Sequence, residues 1–250
     1  MEPIKISAKN LGYTALKNFC PRCYWLKLKL SHKLPWQSFP GIFSSIDAYT
    51  KHCVHHIIDS SNDRESRQVK SNSSYYEYPD WLKEIGDITE YETIKHWSKS
   101  LFFDEKSGIT LSGVPDDIFI RHDGSKATVD WKTAKWTKNQ DILFGMYEIQ
   151  INVYDIQTNY KSDLYLIYME PLTEQYDASN SIIDCGFSMN FSAKVIPVKR
   201  DRSIVRQALT LTREIFDMEK PPDRAIGCKE CDLLDGVMME ISKGERNRKQ

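Results

Sequence analysis

Residues 113 to 133 read GVPDDIFIRHDGSKATVDWKT, and the fold turns on how this stretch is paired. Two apolar runs flank a turn at Asp123-Gly124, so residues 109 to 132 are expected to form a β-hairpin. Three charged residues, Asp116, Asp130 and Lys132, stand among the apolar positions. Charged side chains facing a core are costly unless they are paired or bind a metal. Alternation along a strand puts Asp130 and Lys132 on one face, and Asp116 on a face with Val114 and Ile118. Turn length decides which aspartate meets Asp130. A two-residue loop at Asp123-Gly124 sets Asp117 opposite it. A three-residue loop of His122, Asp123 and a left-handed Gly124 sets Asp116 there instead.

The flanking sequence frames this hairpin with helices and strands. Residues 11 to 30 carry a helical pattern interrupted at Pro21, and Phe43 to Ile58 reads as a helix with Ile46, Tyr49, Cys53 and Ile57 on one stripe. The polar stretch from residue 60 to 74 lacks periodicity and reads as a loop or lid, and residues 75 to 105 are weakly patterned. After the hairpin, residues 139 to 160 form a long helix whose Ile142, Met146, Ile149, Val153 and Ile156 make a core stripe. DLYLIYME (163 to 170) is a strand and FSMNFSAKVIPV (187 to 198) a second one. Residues 201 to 220 form a helix that Pro221-Pro222 ends, followed by a cysteine turn and the charged tail KGERNRKQ. This order implies one mixed α/β (α+β) domain over residues 1–250, a central mixed sheet flanked by helices.

Composition bounds the function classes. The chain of 250 residues is 40% hydrophobic and 12% aromatic, enough to bury a full core and unlike a disordered composition. Its formal net charge of −1 means that any basic surface for nucleic acid is local. No run is long or apolar enough to span a bilayer, and the opening MEPIKISAKNLGY lacks the apolar stretch of a signal peptide, so the expected location is cytoplasmic, with no membrane partner. Of six cysteines, Cys53 and Cys185 read as small buried residues, whereas Cys20/Cys23 and Cys228/Cys231 form two close pairs. In a cytoplasmic chain such pairs suggest metal or redox chemistry more than disulfides. Two Cys-x-x-Cys turns satisfy a tetrahedral Zn²⁺.

The hairpin charges suggest chemistry of their own. Two carboxylates converging near a lysine suit a hard divalent cation, Mg²⁺ or Mn²⁺, held against a phosphate. Lys132 then orients a water or neutralises developing charge. A solvated surface ion pair is the alternative, and the apolar neighbours weigh against it. Beside the site, Trp131, Trp136, Lys135 and Lys138 are candidates for stacking and phosphate contacts. KLKLSHK (27 to 33) and Arg246, Arg248 and Lys249 could extend a phosphate track.

These residues resemble the PD-(D/E)XK nuclease superfamily in its RecB-like, CRISPR-associated exonuclease-like branch. Pro115-Asp116 and Asp130-Trp131-Lys132 match its PD and DxK elements, Gly113 and Asp116 its Gly-x-x-Asp, and Gln150 and Tyr154 its Gln-x-x-x-Tyr. The last two share a helical face at i, i+4. The resemblance implies a restriction-endonuclease-like fold and a Mg²⁺- or Mn²⁺-dependent nuclease, with DNA ahead of RNA as the nucleic acid. Asp116 and Asp130 would bind metal, Lys132 would position water, and Gln150 and Tyr154 would support the site. It favours Asp116 over Asp117. The alternative is a nucleic-acid- or partner-binding module that keeps the fold without turnover. FCPRCYWL resembles the CPR segment of this branch, which implies that Cys20, Cys23, Cys228 and Cys231 converge on a structural centre clamping the two ends of the chain. The branch uses iron, so a [4Fe–4S] cluster stands ahead of Zn²⁺. The chain departs from the branch in two ways. Its cysteines fall two and two instead of one and three. The early helix also lacks the branch's Gly-x-x-x-His, which leaves His52, His55, His56, Asp47, Glu90 and Glu92 as candidates for a third metal ligand.

Overall fold

The computed structural model describes residues 2–31, 41–66, 78–94, 100–136, 142–174, 176 and 179–247. The elements in chain order are β1 (Ile4–Ser7), α1 (Ala8–Gly12), α2 (Pro21–Lys29), α3 (Ile42–Ser66), α4 (Asp80–Lys83), β2 (Ile88–Glu92), β3 (Leu101–Asp104), β4 (Ile109–Ser112), β5 (Asp117–Arg121) and β6 (Lys126–Lys132). There follow α5 (Phe144–Thr158), β7 (Asp163–Pro171), β8 (Ile182–Ile183), β9 (Gly186–Phe187), β10 (Phe191–Val198), α6 (Arg202–Asp217) and α7 (Lys229–Asn247). The fold is mixed α+β. A five-stranded mixed sheet in the order β10-β7-β6-β5-β2 and a three-stranded sheet in the order β1-β4-β3 are flanked by helices. No helix among the described residues is long and apolar enough to cross a membrane.

The hairpin takes the three-residue form. Gly124 N–H donates to Arg121 O at 2.8 Å, Arg121 N–H donates to Ser125 O at 2.9 Å, and Gly124 sits at φ +79°, where glycine has no Cβ penalty. Asp117 therefore pairs with Val129, and the Asp116 N–H donates to Val129 O at 3.2 Å. The paired register ends at Asp117, and Asp116 lies just before β5, on the side of the sheet where Asp130 sits. Next in the sheet, β6 and β7 run parallel, and a parallel pair needs a crossover. α5 supplies it, with Met146, Ile149 and Val153 buried.

The central sheet has two differently covered faces. On one, Leu164, Leu166 and Tyr168 of β7 join Ile149, Val153 and Tyr154 of α5 and the apolar side chains of α6 and the smaller sheet. Asp130 pairs with Leu166 and Lys132 with Tyr168, so both charged residues share this face. On the other face, Phe119, Ala127, Val129 and Trp131 pack against Val54 and Ile58 of α3 and Leu82 of α4.

Several expectations need correction. The buried stripe of α3 is Thr50, Val54 and Ile58, whereas Tyr49 and Cys53 are exposed. The helix is rotated from its apolar reading because Lys51 and His55 dock on the sheet by polar contacts. Cys185 is exposed as well, on the small β8–β9 hairpin region. Ile142 precedes α5 and is exposed. Pro21 begins α2 rather than interrupting a helix, as suits proline at a first helical turn. α3 continues to Ser66, into the stretch expected to be a loop, and α7 covers most of the charged tail.

Candidate active site and cysteine centre

Asp116, Asp130, Lys132, Gln150 and Tyr154 line one cavity of about 470 Å³, together with Lys9 of α1 and Asp47 of α3. β5 and β6 bring the two aspartates together from adjacent strands, and α5 presents Gln150 and Tyr154 one turn apart. A chain of contacts joins them. Lys132 forms a close ion pair with Asp130, lies 4.0 Å from the centre of the Tyr147 ring, and donates to Gln150 Oε1 at 3.2 Å. Gln150 Nε2 donates to Asp130 Oδ1 at 3.3 Å and to the Tyr154 hydroxyl at 2.7 Å. Both ends of one amide are thereby used, which fixes its orientation.

Gly113 has a physical role in this network. It sits at φ +153°, and a Cβ there would lie 2.9 Å from Tyr154 Cε1. The glycine lets the tyrosine ring come in beneath the strand that leads to Asp116.

Charge and burial oppose each other here. The Asp130 carboxyl is raised to about 7, pushed up by burial, pulled down by the Lys132 ammonium and pushed up again by Asp116. Lys9 is lowered by burial and by Lys132, with Asp130 acting in the other direction. The Tyr154 hydroxyl is raised well above its ordinary value, first by burial and then by Asp130. A buried anion of this kind calls for positive charge. The carboxylate oxygens are the donor class that hard divalent cations take.

Of the six candidates for a third ligand, Asp47 alone lines the cavity. His55 lies on the other face of the sheet. Its Nε2 is 2.8 Å from Asp117 Oδ1, and its ring stacks on Tyr91 at 3.8 Å. Asp117 is fully buried and also accepts from the Trp131 indole at 2.7 Å, so it ties α3 to β6 and does not enter the cavity with a carboxylate. His52, His56 and Glu90 are exposed, and Glu92 pairs with Lys126 at 2.9 Å, so none of these four is placed to complete the set. The residue that sequence reasoning missed is Lys51, whose ammonium reaches Asp116 Oδ1 at 2.8 Å and Asp47 at 3.0 Å. The signal was present as an i, i+4 acid–base pair with His55 one further turn along the same helix face.

The expected stacking and phosphate residues fare unevenly. Trp131 is buried on the far face and unavailable for stacking on a base, because alternation sends it away from Asp130. Trp136 packs on Tyr168 and Phe144, and Lys135 pairs with Glu170 at 3.2 Å. In the expected phosphate track, Lys29 lies over the Phe216 ring and Lys27 over Tyr13. Lys138, His32, Lys33, Arg248 and Lys249 fall outside the described residues, as does the side chain of Arg246.

The second centre lies where α2 and α7 begin. Cys20 and Cys23 flank the first turn of α2, and Cys228 and Cys231 flank that of α7. Their four sulfurs all lie within 4.8 Å of one another. Cys23 and Cys231 are 3.3 Å apart, and Cys20–Cys231 and Cys23–Cys228 are 3.6 Å apart. The set could hold a metal. Burial pushes the Cys23 thiol up and takes Cys231 to about 11. Cys20 is buried too, yet N–H groups of Ala225 and Cys23 and the neighbouring thiols bring it down to about 7. A bidentate Arg22–Asp235 pair at 2.7 and 3.1 Å joins the same two helices.

No family model matches the chain, and no curated protein matches it. A solved structure titled "Crystal structure of SSO0001" is similar at 14% identity and a TM-score of 0.39, over 89% of this chain and 80% of that one, a likeness too distant to carry an argument.

Proposed function

We propose that this chain is a nuclease of the PD-(D/E)XK superfamily, on a restriction-endonuclease-like fold, hydrolysing phosphodiester bonds with Mg²⁺ or Mn²⁺. The observation that carries the reading is the register of one hairpin. It brings Asp116 into one cavity with Asp130 and leaves Lys132 in a close ion pair with Asp130, with Gln150 hydrogen-bonded to both Asp130 and Lys132. A surface ion pair has no reason to recruit a buried amide network.

In this reading Asp116 and Asp130 hold the cation. A divalent ion supplies charge stabilisation to the phosphate oxygens and acidifies a bound water. Lys132, anchored by Gln150, keeps its ammonium beside the reacting oxygens and neutralises charge that grows in the transition state. Gln150 fixes the Lys132 and Asp130 side chains, and Tyr154, buried and protonated, closes the base of the site. DNA stands ahead of RNA as substrate on the resemblance alone. The test is a panel of labelled DNA and RNA, single- and double-stranded, incubated with Mg²⁺, Mn²⁺ or EDTA. Divalent-dependent products support the reading, and binding without cleavage under every condition favours the non-catalytic module.

The cysteine centre belongs to the same proposal as a structural clamp. The branch resemblance points to [4Fe–4S], but the sulfur spacing supports a single tetrahedral ion better. With Zn–S bonds of about 2.3 Å, a tetrahedron has sulfur–sulfur edges of roughly 3.8 Å, close to the separations here. A four-iron cluster places an iron under each thiolate and spreads them further. Iron, sulfide and zinc analysis of anaerobically purified protein distinguishes the two.

A further inference from the structure

The cation partner of Asp116 is a lysine from another element. Asp116 Oδ2 is held by the Trp131 backbone N–H at 2.8 Å, which leaves Oδ1 facing α3. Lys51 reaches it there at 2.8 Å and at the same time contacts Asp47, one turn earlier on its own helix, at 3.0 Å. Asp47 and Asp116 line the cavity that holds Asp130, and Lys51 bridges these two carboxylates.

Two readings of Lys51 differ in what they predict. A static ion pair leaves Asp116 committed and Asp47 merely its second partner. An exchangeable ammonium instead stands where a divalent cation has its highest affinity, because it answers the same carboxylate field.

We propose that Lys51 holds, in the ion-free protein, the position between Asp47 and Asp116 that a divalent cation takes, so that binding exchanges ammonium for metal and Asp47 completes the carboxylate set. The inference rests on the metal site proposed above and adds to it a third ligand and a built-in competitor. A lysine in this role keeps the carboxylates together without an ion and raises the metal concentration at which the site loads. It also limits occupation by monovalent ions, which gain too little to displace it.

The test is a Mn²⁺ titration followed by the electron paramagnetic resonance signal of free Mn²⁺, on wild type, Lys51→Met, Lys51→Arg, Asp47→Asn and Asp130→Asn, each checked for folding by circular dichroism. Lys51→Met should bind Mn²⁺ several-fold more tightly than wild type, because the competitor is gone. Lys51→Arg, which keeps the charge, should not. Asp47→Asn should weaken binding by about tenfold or more, and Asp130→Asn should abolish it. Ion-free Lys51→Met should also melt at a lower temperature than wild type, and saturating Mn²⁺ should recover more of its melting temperature than it adds to wild type. If Asp130→Asn loses Mn²⁺ but Lys51→Met binds no more tightly than wild type, the pair is static and this inference fails while the metal site stands. Unchanged binding by Asp47→Asn likewise removes it from the ligand set. If Asp130→Asn binds as wild type does, the metal site itself fails and the inference falls with it.

Discussion

The ring of Tyr154 lies where a side chain at residue 113 would be: a Cβ on Gly113 would sit 2.9 Å from its Cε1, with the backbone at φ +153°. Two residues separated by the whole hairpin are therefore coupled by contact. Gly113→Ala should lower stability by about 2 kcal/mol, from strain at a backbone angle alanine avoids and from displacement of a buried ring. Chemical denaturation measures the loss. Crystals of the variant should show the Tyr154 hydroxyl moved off Gln150, and an unshifted ring with wild-type stability would refute the coupling.

Adjacent aspartates on one strand should behave differently. Asp117 is fully buried and receives the Trp131 indole and the His55 ring. Asp117→Asn should therefore cost about 1 to 3 kcal/mol, since a partner of a buried donor is weakened. Asp116→Asn should lower metal affinity with a smaller effect on folding. Paired denaturation and Mn²⁺-binding curves separate the two, and the opposite assignment of effects would mean that the register reading is wrong.

The cysteine centre joins positions some two hundred residues apart, so its loss should be felt by the whole fold. Removing the metal with a strong chelator, or Cys228→Ser, should lower stability by about 3 kcal/mol or more. Thermal melts with and without the chelator are the check. Molecules that remain folded should bind Mn²⁺ as wild type does, because the cysteines lie outside the cavity of Asp116 and Asp130.

Asp201 caps α6, accepting from the Ser203 N–H at 2.8 Å. The Ser203 hydroxyl and N–H hold its carboxyl below the usual range. A lowered folded value means stabilisation fully present above the unfolded carboxyl's value of about 3.9 and lost as pH falls through the folded one. Asp201→Ala should thus melt at a lower temperature than wild type at pH 7, and the gap should close as the pH falls through the carboxyl's lowered folded value. A gap independent of pH would show that the carboxylate's charge is not what caps the helix.

What was legible in the chain followed from strong local chemistry. The hairpin around Asp123-Gly124 was legible, though its turn length left Asp116 and Asp117 both open until the resemblance favoured Asp116, and a clear i, i+4 spacing puts Gln150 and Tyr154 together. α3 was misread for a physical reason. Its apolar residues Ile46, Tyr49, Cys53 and Ile57 suggest one face, but Lys51 and His55 contact Asp116 and Asp117 and turn the helix away from it, with Asp47 pairing to Lys51. A pattern counted in apolar residues cannot register a helix docked by charge. β2 and β3, at five and four residues with only partial burial, carry too little alternation to be read before their partners are known. Lys51 escaped notice because its carboxylate partner Asp116 is sixty-five residues away.

Whether Asp116, Asp130 and Lys132 perform metal-dependent hydrolysis is read most directly from cleavage of end-labelled DNA by wild type, Asp130→Asn and Lys132→Ala in Mn²⁺ and in EDTA. Wild type should cleave in Mn²⁺ and not in EDTA. Asp130→Asn should lose Mn²⁺ binding and cleavage together. Lys132→Ala should lose at least about a hundredfold in rate while still binding DNA, since its charge matters most in the transition state. Wild-type cleavage by Lys132→Ala, or cleavage by the wild type that persists in EDTA, would contradict that chemistry.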